Sequence, residues 1–357
     1  MKVAGAAREL RALARVTGES SRRHGARRLW AARRARMLRG RGFEYDEAVL
    51  FGLMDPAVPA DLARRFVSEY ETTRLIDALN AEALSAVTAE KVIFYRHFSA
   101  LGIAVPELYG AVGRAGGWSA VTGRPLADPA SSAAFLAAEV PEEFVMKPSG
   151  GHHGLGVRVL RRDGHLFSDL EGRRWDAAGL VAEILADPDF DLHVVQERLR
   201  NHPDLQEIFA SETLQTTRMT TFASDDGTVE VVHASFKVGA GGGNVDNFRS
   251  GATGNVLVEI DLGTGALGRP FGDSGRGGVV EGAVLPDWAA ACELARESAR
   301  HLLPQRSMGL DVALTTRGPV LVEANRGYDP FPSAGFGDAV RAMERATREG
   351  GPLQLPG

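Results

Sequence analysis

The residues best suited to chemistry lie in two separate stretches of the chain. The first reads Glu143-Phe144-Val145-Met146-Lys147-Pro148-Ser149-Gly150-Gly151-His152-His153-Gly154-Leu155-Gly156-Val157-Arg158-Val159. A strand ends in Lys-Pro, a glycine-rich loop follows, and a second strand leaves it. A Walker loop or a dinucleotide loop would open a helix, and here Val157–Leu160 alternates as a strand. Backbone N–H groups of Gly150, Gly151 and Gly154 can wrap phosphate oxygens, with Lys147 at the base of the loop reaching the same group. An ordinary glycine-rich hairpin fits this stretch equally well. His152 and His153 sit in the loop, and position alone assigns them no role.

The second stretch is the hairpin Met308–Thr315 and Val320–Asn325, with its turn at Arg317-Gly318. If the turn centres on Arg317, Asp311 and Glu323 each lie six residues away and face one another across the strands. Asn325 then shares their side. Like charges directly opposed destabilise a hairpin unless a cation sits between them. Asp, Glu and Asn supply hard oxygen ligands of the kind Mg²⁺ takes while it bridges to nucleotide phosphates. A solvated polar face is the plainer alternative, though Val320, Leu321 and Val322 read as a buried strand.

Lysine usage points to the same places. Of 41 basic residues only Lys2, Lys91, Lys147 and Lys237 are lysine, the others being arginine. Where arginine serves generic charge, a retained lysine marks a position that needs a compact ammonium rather than a planar fork. Lys91, Lys147 and Lys237 all fall beside motif-like segments. Between the two stretches lie Val194-Val195-Gln196-Glu197-Arg198-Leu199 and a strand pair carrying Arg218 and Lys237. On the second of these strands His233, Ser235 and Lys237 share one face, which either lines a pocket or meets water. Gly239–Asn244 precedes no helix and reads as a mobile loop leading to Asp246-Asn247-Phe248-Arg249-Ser250-Gly251. Nine histidines and the single Cys292 show no zinc spacing.

The elements that must position these residues divide the chain. Residues 1–90 read as helical, through Glu9–Val16, Arg28–Leu38 and Asp61–Leu79, with no strand–helix–strand pattern. Lys91–Leu101 is a helix closed by Gly102. Val121–Arg124 and the alanine-rich 131–138 are ambiguous. Residues 91–196 and 197–345 form two further regions, mixing strands at 144–147, 157–160, 192–198, 214–222, 229–238 and 256–261 with helices near 176–186 and 286–303.

Composition limits the alternatives. The chain has 357 residues, 44% hydrophobic and 24% charged, enough for two or three subdomains with cores. No apolar run approaches the roughly 18 residues a membrane span needs. A net charge of -5 gives no reason to expect nucleic acid. A lone cysteine permits no disulfide within the chain and fits a reducing, cytoplasmic setting. The first 45 residues carry twelve arginines, from Arg8 to Arg41, and no apolar stretch of the kind a secretory signal needs. They read as a solvated helical face or as a docking surface for an acidic protein or an anionic membrane.

In this order the motifs resemble the ATP-grasp superfamily, over residues 60 to 340 its sugar-transfer-associated branch, with the alpha-L-glutamate ligases as distant relatives. The matching pieces are Glu90-Lys91 before a helix ending Gly-Ile-Ala-Val-Pro, Phe-Val-Met-Lys-Pro with its loop, Val-Val-Gln-Glu-Arg-Leu, Thr-Thr-Arg-Met-Thr, Asp-Asn-Phe-Arg-Ser-Gly, Gly-Leu-Asp-Val-Ala-Leu and Leu-Val-Glu-Ala-Asn. The resemblance implies an α+β ATP-grasp fold, two subdomains clamping ATP, behind an arginine-rich helical segment. It implies that Lys91 and Lys147 hold ATP phosphates, that Gln196, Glu197 and Leu199 meet adenine and ribose, and that Asp311, Glu323 and Asn325 hold Mg²⁺. Arg218, Lys237, Asn247 and Arg249 would contact the transferred phosphoryl group or its acceptor. The expected activity is an ADP-forming carboxylate–amine ligase of biosynthesis, acting on small molecules through an acyl phosphate. A small-molecule kinase and a non-catalytic docking module are the alternatives. Amide-forming members carry a Rossmann-like domain where this chain has its arginine-rich start, and that departure leaves the acceptor open.

Overall fold

The computed structural model describes residues 25–151, 154–209, 213–239, 256–271 and 281–355. The expected helix Glu9–Val16, the histidines His152 and His153, and the segment with Asn247 and Arg249 lie outside the described residues. Contacts separate two units: Met1–Ala78 with Asp329–Glu349 and Leu353–Gly357, and Leu79–Tyr328 with Gly350–Pro352. The boundary at 90 drawn from sequence thus falls inside the second unit, and the helix that ends the expected 197–345 region belongs to the first.

The first unit is helical in its described part, with α1 (Gly25–Arg39), α2 (Tyr45–Leu50), α3 (Ala60–Arg65), α4 (Glu69–Leu79) and a final helix Ala334–Glu349. Ala31, Leu38, Phe43, Ala48, Leu53, Met54 and Ala63 form its core. Sequence predicts one helix over Asp61–Leu79, and the chain instead breaks between α3 and α4. Ser68 and Glu71 explain the break: the Ser68 hydroxyl accepts from the Glu71 N–H at 3.1 Å, and the Glu71 carboxylate accepts from the Ser68 N–H at 3.0 Å. That reciprocal pair is a capping box, which starts a new helix rather than continuing the old one. The orphan carbonyls at the end of α3 are met by arginines. Arg41 donates to Arg64 O at 2.9 Å and Phe66 O at 2.6 Å, and Arg341 donates to Arg64 O and Arg65 O, both at 2.6 Å.

The second unit holds two wholly antiparallel sheets. The first orders as β3-β2-β1-β8-β4-β5-β6-β7, from β1 (Leu108–Gly113), β2 (Gly117–Ser119), β3 (Pro125–Leu126), β4 (Glu143–Pro148), β5 (Arg158–Asp163), β6 (Leu166–Asp169), β7 (Arg174–Asp176) and β8 (Leu192–Glu197). The second orders as β12-β11-β10-β9-β13-β14, from β9 (Thr216–Ala223), β10 (Val229–Val238), β11 (Val256–Ile260), β12 (Leu267–Phe271), β13 (Ser307–Thr315) and β14 (Gly318–Asn325). Helix α5 (Lys91–Ala100) precedes the first sheet, and α6 (Pro129–Ala138) and α7 (Ala177–Leu185) cover one face of it around Phe135, Phe144, Phe167 and Leu180. Helix α8 (Pro203–Phe209) leads toward the second sheet. Helix α9 (Trp288–Arg300) buries Trp288, Ala291 and Ala295 among Phe236, Leu310 and Val312 of that sheet, joined by Phe94 and Phe98 of α5. The helix expected over 286–303 is shorter, starting after Pro286 and Asp287.

Strands β1 to β3 are absent from the sequence reading, because Gly110, Ala111 and Gly113 give β1 little strand propensity. Close approach demands them: a Cβ on Gly110 would lie 2.5 Å from the Trp118 carbonyl of β2. The ambiguous 121–124 is the turn between β2 and β3, and 131–138 is α6, started by the Asp128/Ser131 capping box with Pro129 in its first turn.

A Cβ on Gly337 would lie 1.8 Å from Arg65 O and 3.2 Å from Phe66 Cα, so the final helix meets the end of α3 at a point with no room for a side chain. Gly337→Ala should destabilise the first unit by about 1–3 kcal/mol, the scale of overpacking, despite alanine's better helix propensity. Urea denaturation followed by circular dichroism checks this; a stability equal to wild type would mean the contact is looser than it looks.

Candidate active site

Lys147 stands next to last in β4, where alternation sends Phe144 and Met146 into the apolar core and Lys147 to the opposite face. The residue is 7% exposed, and its ammonium donates at 2.7 Å to the Tyr95 hydroxyl of α5, over whose ring it lies at 5.3 Å from the centroid. Burial, with Lys91 adding repulsion, pulls its pKa down to about 7, against the pull of Glu323 and Asp311. Lys91 opens α5 and is also 7% exposed. Its Nζ donates to Gly151 O at 2.6 Å and lies 3.6 Å from Glu323 Oε1. Two cations from different elements thus converge on the glycine loop.

That loop is fastened to the start of α5. The Lys91 N–H donates to Ser149 O at 3.0 Å, the Val92 N–H donates to the Ser149 hydroxyl at 3.3 Å, and that hydroxyl donates to Glu90 at 2.7 Å. Gly154 and Gly156 both take φ of +70°, the left-handed region in which a side chain is strained. A Cβ on Gly151 would lie 2.9 Å from the Pro148 ring.

The carboxylates sit on the second sheet, opposed as the sequence reading expected, with Asp311 paired to Glu323 and Gly309 to Asn325. The reason differs. The hairpin closes from Thr315 to Gly318 across Thr316 and Arg317, half a residue earlier than a turn centred on Arg317. A bulge then inserts Val322 opposite the step from Asp311 to Val312 and restores the pairing. Without that extra residue Glu323 would face the core.

Asp311 is 6% exposed and held by two cations: Arg218 at 2.6 Å and 3.1 Å from its two oxygens, and Lys237 at 2.9 Å. Burial alone would raise its pKa, but the charges and hydrogen bonds of Arg218 and Lys237 outweigh it and hold the carboxyl at about 2. Arg218 stands directly across from Asp311 on β9, and Ser235 of β10 directly across from Arg218. His233 is buried and lies 3.2 Å from Glu259 of β11.

Leu199 packs with Ala313 and Val320 and, partly buried, Leu214 and Val322, giving an apolar patch beside the carboxylates. Among the described residues the Gln196 side-chain Oε1 is buried without a hydrogen-bond partner, a group that a bound donor would satisfy. Glu197 is already engaged: its Oε2 accepts from the Glu107 N–H at 3.1 Å and from Arg317 at 2.8 Å. It borders a cavity of about 1240 Å³ whose lining includes Tyr95, Arg96, Trp118, Glu107 and Arg317.

The structure therefore brings together Lys91, Lys147, Gly150, Gly151, Arg218, Lys237, Asp311 and Glu323 through linked contacts, with Asn325 at the next site-facing position of β14. Asn325 Nδ2 donates to Gly309 O at 3.5 Å. Among the described residues no group of three or more His, Cys, Asp or Glu side chains could hold a metal ion. Two opposed carboxylates and an amide oxygen nevertheless fit Mg²⁺, which takes few protein ligands and completes its shell with water and phosphate. The buried ammonium of Lys147, hydrogen-bonded only to a neutral phenol among the described residues, fits an arriving phosphate. The sequence reading names Glu90 and Ser149 only as parts of motifs, without a role, and leaves Tyr95 unmarked. Tyr95 falls four residues after Lys91 on one helix face, a spacing that could have flagged it.

Two antiparallel sheets, one carrying Lys147 and the other the opposed carboxylates, with Lys91 at the start of α5, are the layout of the ATP-grasp class. The sequence model of the sugar-transfer associated ATP-grasp family matches residues 70–332, and the chain belongs to that family. No curated protein matches it. Among solved structures it is similar to the biotin carboxylase–beta-gamma-ATP complex from Campylobacter jejuni at 14% identity and a TM-score of 0.49, over 80% of this chain and 53% of that one. It is also similar to D-alanine-D-alanine ligase from Coxiella burnetii at 12% identity, TM-score 0.39, over 74% and 60%. L-amino acid ligase from Bacillus licheniformis aligns at 11% identity, TM-score 0.37, over 68% and 41%. The chain thus spans 41% to 60% of the length of these proteins. No helix among the described residues is long and apolar enough to cross a membrane.

The depressed Lys147 pKa has a consequence for stability. With a folded value of about 7 below the ordinary 10.5, the unfolded chain binds more protons between those pH values, so this group's penalty is full below pH 7 and fades as pH rises toward 10.5. Lys147→Met should therefore stabilise the nucleotide-free protein most at pH 6 and progressively less toward pH 9.5. Denaturant titrations of both proteins at these pH values measure the gap; a gap independent of pH would contradict the burial argument.

Proposed function

We propose that this chain is an ATP-dependent carboxylate–amine ligase, forming an acyl phosphate with release of ADP. The observation that carries the reading is the meeting of Lys91 and Lys147 with the opposed Asp311 and Glu323. Lys91 and Lys147 would hold the ATP phosphates with the loop of Gly150, Gly151 and Gly154. The apolar patch around Leu199, with Gln196, suits adenine, and Glu197 is the candidate for ribose once released from Arg317. Asp311, Glu323 and Asn325 would hold Mg²⁺, which when bound neutralises charge on the phosphoryl oxygens.

Arg218 and Lys237 would turn from Asp311 toward the transferred phosphoryl group or the acceptor carboxylate, assisted by Asn247 and Arg249. The acceptor oxygen attacks the γ-phosphorus, the bond to the bridging oxygen breaks, and ADP departs. An amine then attacks the acyl carbon, phosphate leaves, and the nitrogen gives up a proton. A carboxylate acceptor is favoured over a hydroxyl because it arrives already deprotonated, whereas Asp311, engaged as a Mg²⁺ ligand, would not serve as the base for a hydroxyl proton. The substrates are accordingly small molecules, and the setting cytoplasmic. The arginine-rich residues 1–45 would serve an acidic protein or an anionic membrane surface.

Incubation with Mg·ATP, hydroxylamine and a pool of carboxylates should yield ADP together with a hydroxamate. Lys147→Ala and Glu323→Ala should each cut the rate by about 10²–10³-fold, the scale of losing one preorganised electrostatic contact. ADP without hydroxamate would replace the ligase by a hydroxyl kinase, and wild-type rates in either variant would remove these residues from the site.

A further inference from the structure

Tyr95 lies one helical turn after Lys91, so both project from the same face of α5. Its ring is 1% exposed and edge-on to Phe94 at 5.3 Å between centroids. Its hydroxyl has partners in both sheets. It accepts from Lys147 Nζ on β4 at 2.7 Å and donates to Val322 O on β14 at 3.0 Å. A phenol can do both at once, having one proton and free lone pairs. Val322 is the bulge residue, the extra position that turns Glu323 toward Asp311. One hydroxyl therefore fixes an ammonium on the first sheet and the backbone irregularity that orients a carboxylate on the second.

The geometry points to Tyr95 as a positioning residue, which holds the Lys147 ammonium and the Val322 bulge, and through the bulge the Glu323 carboxylate, in one frame. The inference rests on the ATP-site reading given above. An ammonium has three donors, so the bond to Tyr95 leaves two for phosphate oxygens and fixes where they point. Without the hydroxyl, Lys147 swings on a flexible stem and the Val322 carbonyl loses its donor. Tyr95 would touch neither the reacting phosphorus nor the acceptor; it acts through the two groups it holds.

The test is a cycle of Tyr95→Phe and Lys147→Met, alone and together, with Mg·ATP and adenosine affinities measured by isothermal titration calorimetry. Tyr95→Phe keeps the buried ring, and thermal melts establish that each variant is folded at the assay temperature. Should it melt too early, Tyr95→Met serves as a second hydroxyl-free variant of similar bulk. Tyr95→Phe should weaken Mg·ATP binding roughly tenfold, the scale of one hydrogen bond to a charged group, and affect adenosine binding, through the Gln196 side chain that also meets the hydroxyl, much less. In the Lys147→Met background the same change should lose the share of its effect that runs through Lys147 and keep only the share that runs through Val322. Wild-type affinity in folded Tyr95→Phe, or an undiminished loss beside Lys147→Met, overturns the positioning role while the ATP site stands. Failure of the wild-type protein to bind Mg·ATP removes the functional reading itself, and this inference with it.

Discussion

Two carboxylates opposed on neighbouring strands of a sheet repel one another, and Asp311 is almost wholly buried. Removing a carboxylate from water without a partner costs several kcal/mol, so cations from elsewhere in the fold must meet the pair. Arg218 and Lys237 reach Asp311 from β9 and β10, and Lys91 reaches Glu323 from the start of α5. Much of the architecture of the second unit serves this need: β9 lies beside β13 so that Arg218 stands across from Asp311. In the nucleotide-free protein these side chains neutralise one another. A metal–phosphate complex supplies both signs of charge, and could release the same groups to work on a substrate.

The first sheet answers a complementary problem. Lys147 is buried with no anion in hydrogen-bond contact among the described residues, and its pKa of about 7 registers the burial. The carboxylates of the second sheet are met by cations, whereas Lys147 of the first has no anion in hydrogen-bond contact among the described residues. A triphosphate bound with its metal as proposed would give Lys147 that anion.

The hairpin, the lysine-bearing strand and the glycine loop were legible in sequence because their signals are local: alternation, a turn, and charges at countable spacing. The pairing of Asp311 with Glu323 was found by counting from a turn placed half a residue late, and the bulge at Val322 compensated for that placement. Bulges leave little trace in a single sequence, so the count succeeded without its cause being known. Tyr95 was invisible for a different reason. An aromatic residue between Phe94 and Phe98 reads as core, and only the third dimension brings a strand lysine and a bulge carbonyl to its hydroxyl. Strands β1 to β3 were lost because the glycines that allow close strand approach also erase strand propensity. The Ser68–Glu71 capping box was legible and was passed over in favour of a longer helical period.

In the proposed reading the paired lysines of α5 and β4 and the opposed carboxylates of β13 and β14 form one nucleotide site. A crystal structure with Mg²⁺ and a non-hydrolysable ATP analogue tests it most directly. Phosphate oxygens are expected against Lys91 and Lys147, Mg²⁺ against Asp311 and Glu323, and at least one of Arg218 and Lys237 parted from Asp311. A nucleotide bound elsewhere, with Asp311 still held by both cations, would contradict it.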